Sequence, residues 1–114
     1  MSAQELGLDD IYNLAKKVMM ANGCDIENAE ALADIVSRAE RDGSHSHGLF
    51  RVPGYVKALR SGKVDGKAKP TIKHITPAVI RVDGHGCFAP LAQSVGLPAL
   101  VDATKQIGIG ALSL

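Results

Sequence analysis

The apolar residues of this chain change their period once, near residue 62, and that change limits what the chain can fold into. Leu8, Ile11, Tyr12, Ala15, Val18 and Met19 recur three and four apart, a helical stripe, with Lys16 and Lys17 off it. Asp9 and Asp10 suit the first turn of this helix, where acids meet the positive end of its dipole. Asn22-Gly23 closes it, since both residues tolerate the left-handed conformation that ends a helix. A second stripe follows at once, with Asp25 as its candidate N-cap and Glu27 and Glu30 in its first turns. Ile26, Ala29, Leu32, Ala33, Val36 and Ala39 form its expected buried face, and Arg38, Glu40 and Arg41 its expected solvated end. So short a link between two stripes predicts an antiparallel helix pair.

Gly43 ends the second helix. A third should stop near Arg60, at Ser61-Gly62. Pro53 fits best in a first turn, which starts this helix near Val52; a start near His47 requires a kink at Pro53. Residues 63–70 are polar and punctuated by Gly and Pro, a loop. Residues 71–75 and 78–83 then read as two short strands, with Gly84-His85-Gly86 as a turn. A helix returns from Ala89 to Gln106, interrupted or kinked near Gly96-Leu97-Pro98, and residues 107–114 read as a buried strand. These elements predict an α/β chain, divided into a helical segment over 1–62 and the start of an α/β body over 63–114. A strand pattern running into the last residue predicts a fragment of a longer protein.

Composition narrows the function classes. The formal charge is +1 with His neutral, which argues against a nucleic-acid or anionic-membrane surface. Aromatics are few, so a base-stacking platform is not expected. Cys24 and Cys87 form no CxxC pattern and read as two reduced thiols in a cytoplasmic protein. Residues 1–5 lack the basic and apolar regions of a signal peptide, and no apolar run is long enough to span a membrane.

The chemistry concentrates between the second and third helices, in Asp42-Gly43-Ser44-His45-Ser46-His47-Gly48-Leu49-Phe50-Arg51. If a helical turn begins near His47, then His47 and Arg51 stand at i and i+4 on one face. An imidazole beside a fixed cation suits a site that grips a carboxylate and moves a proton. Arg51 supplies the planar two-point grip, His47 the titratable acid, and Ser46 a hydroxyl to orient ring or substrate. A plain helix cap by Ser44 or Ser46 accounts for the same residues, with both histidines merely exposed. That reading makes the chain a small non-enzymatic helical interaction or structural domain. His45-x-His47 with Asp42 is a third option, but zinc wants three or four protein ligands, so no metal is expected. No nucleophile elbow supports a Ser-His hydrolase.

Gly84-His85-Gly86-Cys87-Phe88-Ala89 matches the form of a dinucleotide-binding fingerprint, G-x-G-x-x-A. Arg81 in the middle of the preceding strand argues against it, because a buried parallel strand should be apolar there. The acidic residue expected at the end of the next strand would lie beyond Leu114. A glycine turn is the simpler reading.

Arg41 through Tyr55, with Ser46-His47-Gly48-x-x-Arg51 at its heart, resembles the N-terminal signature of the malate/L-lactate dehydrogenase family that lacks a Rossmann fold. His45 directly before the triplet is similar to the branch of Δ1-piperideine-2-carboxylate/Δ1-pyrroline-2-carboxylate reductases, where many hydroxy-acid members carry Asp. Val64-Asp65-Gly66-Lys67 and Ile80-Arg81-Val82-Asp83 also fit. The resemblance implies a helical segment followed by the start of a mixed sheet, about the first third of a family member. It implies reduction of a cyclic 2-imino acid or a 2-oxo acid by NADPH (or NADH), in a homodimer when complete. His47 would be the proton donor, Ser46 its relay partner and Arg51 the clamp on the substrate carboxylate. The main cofactor-binding segments are expected beyond Leu114, so the 114-residue chain alone is expected to be inactive.

Overall fold

Apolar stripes that find partners within the chain fold as their periods require; those without partners stay open to solvent. The computed structural model describes residues 3–114, so Met1 and Ser2, part of the stretch read for a leader, lie outside it. Helix α1 spans Leu8–Ala21 and α2 spans Ile26–Arg41. Asp25 caps α2, its carboxylate accepting the Asn28 N–H at 3.0 Å. Lys16 on α1 reaches Glu30 on α2 at 2.9 Å, off the apolar seam. That seam is Ile11, Ala15 and Met19 against Ala29, Leu32, Ala33 and Val36, all buried. Ile26, expected on the buried face, is instead half exposed: the loop over 63–70 covers the start of α2 at Asn28, on the side away from Ile26.

Helix α3 spans Val52–Arg60, with Pro53 in its first turn, where the missing N–H has no helical partner to lose. Val52 packs into the helical core, as does Phe88, whose ring meets Tyr55 edge-on at 5.5 Å. The loop over 63–70 is pinned at Gly66: its carbonyl accepts the Asp25 N–H at 2.9 Å. A Cβ at Gly66 would come within 2.7 Å of the Gly23 carbonyl, so only glycine lets the loop lie this close.

Strands β1 (Thr71–Thr76) and β2 (Val79–Asp83) form an antiparallel hairpin with an irregularity between His74 and Thr76. Helix α4 (Ala89–Ile107) crosses back, and β3 (Ala111–Ser113) joins β2 in parallel, giving a mixed sheet of order β1-β2-β3. Ile80 and Val82 bury one face of β2 against α4, while Arg81 points to the other, open side. Helix α4 runs through Gly96-Leu97-Pro98 without the expected interruption. Gly96 faces the sheet, where a Cβ would meet Val82 and Leu112 at 2.7 Å, and Pro98 lies on the exposed side.

The expected buried strand over 107–114 is shorter and more open. Ile107 completes α4, Gly108 ends it in the left-handed conformation (φ 94°), and Ile109 is 74% exposed. Cys24 and Cys87 are both free; burial, then neighbouring Asp25, pushes the Cys24 thiol up to about 11. No helix among the described residues is long and apolar enough to cross a membrane.

Candidate functional site

The way α2 ends builds the site. Gly43 takes a left-handed conformation (φ 77°) and donates its N–H to the Glu40 carbonyl at 3.2 Å; Ser44 N–H reaches back to the Ala39 carbonyl at 2.8 Å. The reversed chain then makes two single 3₁₀ turns, His45–His47 and Leu49–Arg51, separated by Gly48. No continuous helix runs from His47, so the helical i, i+4 relation of His47 and Arg51 does not hold. The break at Gly48 replaces it with a different link: Arg51 Nε donates to the Ser46 carbonyl at 2.9 Å.

Ser46 Oγ lies 2.9 Å from His47 Nδ1. With the ring protonated, Nδ1–H donates to Ser46 and Nε2–H is left facing outward. With the ring neutral, rotation of the hydroxyl lets Ser46 either accept from Nδ1 or donate to it. Arg51 spends Nε on the backbone, which leaves its two terminal amines, the fork that fits a carboxylate, directed away from that bond. Both side chains are exposed.

Neither serine caps a helix: the turns beginning after Ser44 and Gly48 have no side-chain cap. The group that serves them is Glu40, which was expected at a solvated end. Its side chain is only 16% exposed. One carboxylate oxygen accepts the Leu49 N–H at 2.9 Å and the other meets His45 Nδ1 at 2.8 Å. His45 first, and then the Leu49 N–H, hold the Glu40 carboxyl below the usual carboxylate range. A Cβ at Gly48 would lie 2.5 Å from Glu40 Cδ, so the glycine of the Ser46-His47-Gly48 triplet makes room for that carboxylate. A signal for Glu40 was present in its spacing. It follows Ala29, Ala33 and Val36 on the buried stripe, four residues after the last of them.

Glu40, His45, Ser46 and Phe50 line an open cleft of about 450 Å³. Phe50 is 78% exposed, more than any other large apolar side chain described. A larger cavity, about 700 Å³, lies between α2 and α4 against Ile35, Leu97 and Val101. It contains no histidine or cysteine. The smaller cleft holds the His45 ring and the Glu40 carboxylate and is the stronger candidate for chemistry, with His47 and Arg51 adjoining it in sequence and outside its lining. Of the three residues offered for a metal, His45 pairs with Glu40 and Asp42 with Arg41, each at 2.8 Å, and His47 Nδ1 lies against Ser46 Oγ at 2.9 Å.

The residues around Gly84 do not fit a dinucleotide. The Gly86 carbonyl accepts the Asp65 N–H at 2.9 Å, and Cys87 N–H closes on the Gly84 carbonyl at 2.9 Å. His85 Nε2 pairs with Thr71 Oγ1 at 2.9 Å. Strand β2 before it is paired antiparallel on one side and carries Arg81 outward. The turn is thus folded onto its own chain, with no cradle for a pyrophosphate.

The sequence profile of malate/L-lactate dehydrogenase matches residues 6–114. A Δ1-pyrroline-2-carboxylate reductase of Ancylobacter novellus is 47% identical over 109 residues, 96% of this chain and 32% of that protein. The crystal structure of Δ1-piperideine-2-carboxylate reductase from Pseudomonas syringae superposes with a TM-score of 0.93 at 37% identity, over 96% of this chain and 33% of that one. Malate dehydrogenase from Entamoeba histolytica gives 0.86 at 25% identity, over 97% and 31%. The chain therefore spans about a third of the length of the relatives it matches.

Proposed function

This chain belongs to the malate/L-lactate dehydrogenase family, and from that premise we propose that it supplies the N-terminal third of an oxidoreductase that reduces a cyclic 2-imino acid of the Δ1-pyrroline-2-carboxylate or Δ1-piperideine-2-carboxylate type. A reduced nicotinamide, NADPH (or NADH) in our reading, would supply the hydride for the C=N carbon. In this reading the part of the residues described here is the proton and the substrate's carboxylate. Arg51 grips the carboxylate through its terminal amines. Protonated His47 gives its Nε2 proton to the imine nitrogen, and the neutral ring keeps its Nδ1–H on Ser46 Oγ. The same groups would protonate the oxygen of a 2-oxo acid. The complete enzyme is proposed to be a cytoplasmic homodimer.

The Ser46–His47 pair at 2.9 Å carries this reading, because it leaves one ring nitrogen with a defined outward role beside a tethered guanidinium. The test is a chimera in which this chain replaces the matching part of the Ancylobacter novellus reductase. The chimera should oxidise NADPH with Δ1-pyrroline-2-carboxylate, and H47A should abolish turnover while the fold, read by circular dichroism, is unchanged. A soluble, folded chimera without turnover would sink the proposal. So would an H47A variant that works as well as the parent.

A further inference from the structure

We infer that Glu40 is a positioning residue that locks the proton donor's turn to the carboxylate clamp's turn across Gly48. The inference rests on the functional reading above for the roles of His47 and Arg51, but the lock itself is a matter of geometry.

The two turns share little else. His47 belongs to the first, His45–His47, and Arg51 ends the second, Leu49–Arg51. Between them stands one residue, Gly48, whose φ of −92° and ψ of −134° interrupt the helical run. A joint this short has two soft dihedrals, and rotation about them swings one turn against the other. Two restraints oppose that rotation. Arg51 Nε reaches back across the joint to the Ser46 carbonyl at 2.9 Å. That bond depends on the side chain that must be held. The second restraint is external. Glu40 stands on α2, in the rigid helix pair, and places one carboxylate oxygen on each turn: Oε2 on the His45 ring at 2.8 Å and Oε1 on the Leu49 N–H at 2.9 Å. The carboxylate occupies the volume that a side chain at 48 would fill, so the absent Cβ and the bridge are one device.

Charge strengthens it. An ionised carboxylate makes shorter and stronger bonds to N–H donors than a neutral acceptor does, and Glu40 stays ionised below the usual range. Its side chain is only 16% exposed, so the carboxylate is largely shielded from water where it makes these bonds. A shift of about 1 Å between an acid and the group that orients its substrate is enough to lower turnover about 100-fold. Glu40 touches neither substrate nor reacting atoms in this scheme; it acts through the two turns.

The experiment uses the same chimera and compares E40A with E40Q. Gln keeps an acceptor for Leu49 and can donate to His45 Nδ1, so it preserves the bridge without the charge. E40A should lower kcat/KM about 100-fold, with KM rising because Arg51 no longer meets the carboxylate in register. E40Q should restore most of that loss. Crystal structures of the parent and E40A chimeras should show the separation between the His47 ring and the Arg51 guanidinium changed, with α1 and α2 unmoved. A purely structural Glu40 would instead lower thermal stability and the yield of active enzyme, leaving KM where it was. That result overturns the proposal, as does an E40Q variant no better than E40A, or an unchanged His47–Arg51 geometry in E40A. If the parent chimera folds but does not turn over, the functional reading fails. The two crystal structures then still decide whether Glu40 holds the turns together.

Discussion

Two stretches of this chain set histidine between glycines and lead toward a helix with proline in its first turn: residues 43–48 before α3 and residues 84–86 before α4. As strings they invite the same reading. Their glycines serve different ends. Gly86 is needed for its backbone angle (φ 87°), and His85 beside it also takes a positive φ of 50°. Gly48 is needed for the space that Glu40 fills. Their histidines differ as well. The His85 ring is used up locally, Nε2 on Thr71 at 2.9 Å and Nδ1 3.5 Å from Asp83. His47 has a partner for Nδ1 alone among the described residues. A turn that satisfies its own polar groups has finished its work as structure. A turn held from outside, with one ring nitrogen left over, keeps the free donor that the proposed function requires.

The sharpest way to break this contrast is to remove each ring in the chimera. H47A should cost at least about 100-fold in kcat, the usual scale for a lost general acid. H85A should leave kcat and KM close to the parent, since it touches only the β1–β2 hairpin and its turn. Equal losses from steady-state assays of the two would mean that the Gly84 turn belongs to the site after all.

Next in size is the pair of glycines. G86A forces a Cβ into the left-handed region and should cost about 1–2 kcal/mol in urea unfolding, with activity per folded molecule unchanged. G48A meets the far end of a flexible side chain, which can swing away, so its stability cost should be about 1 kcal/mol for the lost Leu49 bond. Its activity should nevertheless fall like that of E40A, and the double variant should be no worse than either alone. Additive losses would show that Gly48 and Glu40 act separately.

The same contrast explains what could be read from the string of residues. The helix pair was readable because its stripe is buried within the chain: Ile11, Met19, Leu32 and Val36 find one another. Leu8, Ile26 and Ile109 follow the same apolar rules yet are exposed, since no described residue packs over them. Periodicity reports what a face is suited to, not whether a partner is present. Helix α4 passes Gly96 and Pro98 because tertiary packing at Val82 and Leu112 rewards a small residue there, outweighing the local tendency to break. In the site, Ser46, His47 and Arg51 stood out by residue type. Glu40 did not, because a charge near a helix end is ordinarily solvated, and its partners lie five and nine residues further along. The family signature located the cluster; only the fold revealed that one carboxylate spans its two turns.

The smallest effect expected is in acid. Hydrogen bonding to His45 and then to Leu49 depresses the Glu40 carboxyl below its ordinary value of 4.5. A group whose folded value is lowered adds stability that is complete above the unfolded value and lost as pH falls through the folded one. Near neutral pH the wild-type chimera should therefore melt slightly above E40Q, which has no charge to stabilise. Below 4.5 the gap should close as Glu40 takes up its proton. The Gly84 turn contributes to both proteins alike, so subtracting the two melting curves isolates the Glu40 bridge. Differential scanning calorimetry of both proteins from pH 7 downward checks this. A gap that stays constant or widens in acid would mean that the carboxylate's charge contributes nothing to holding the two turns.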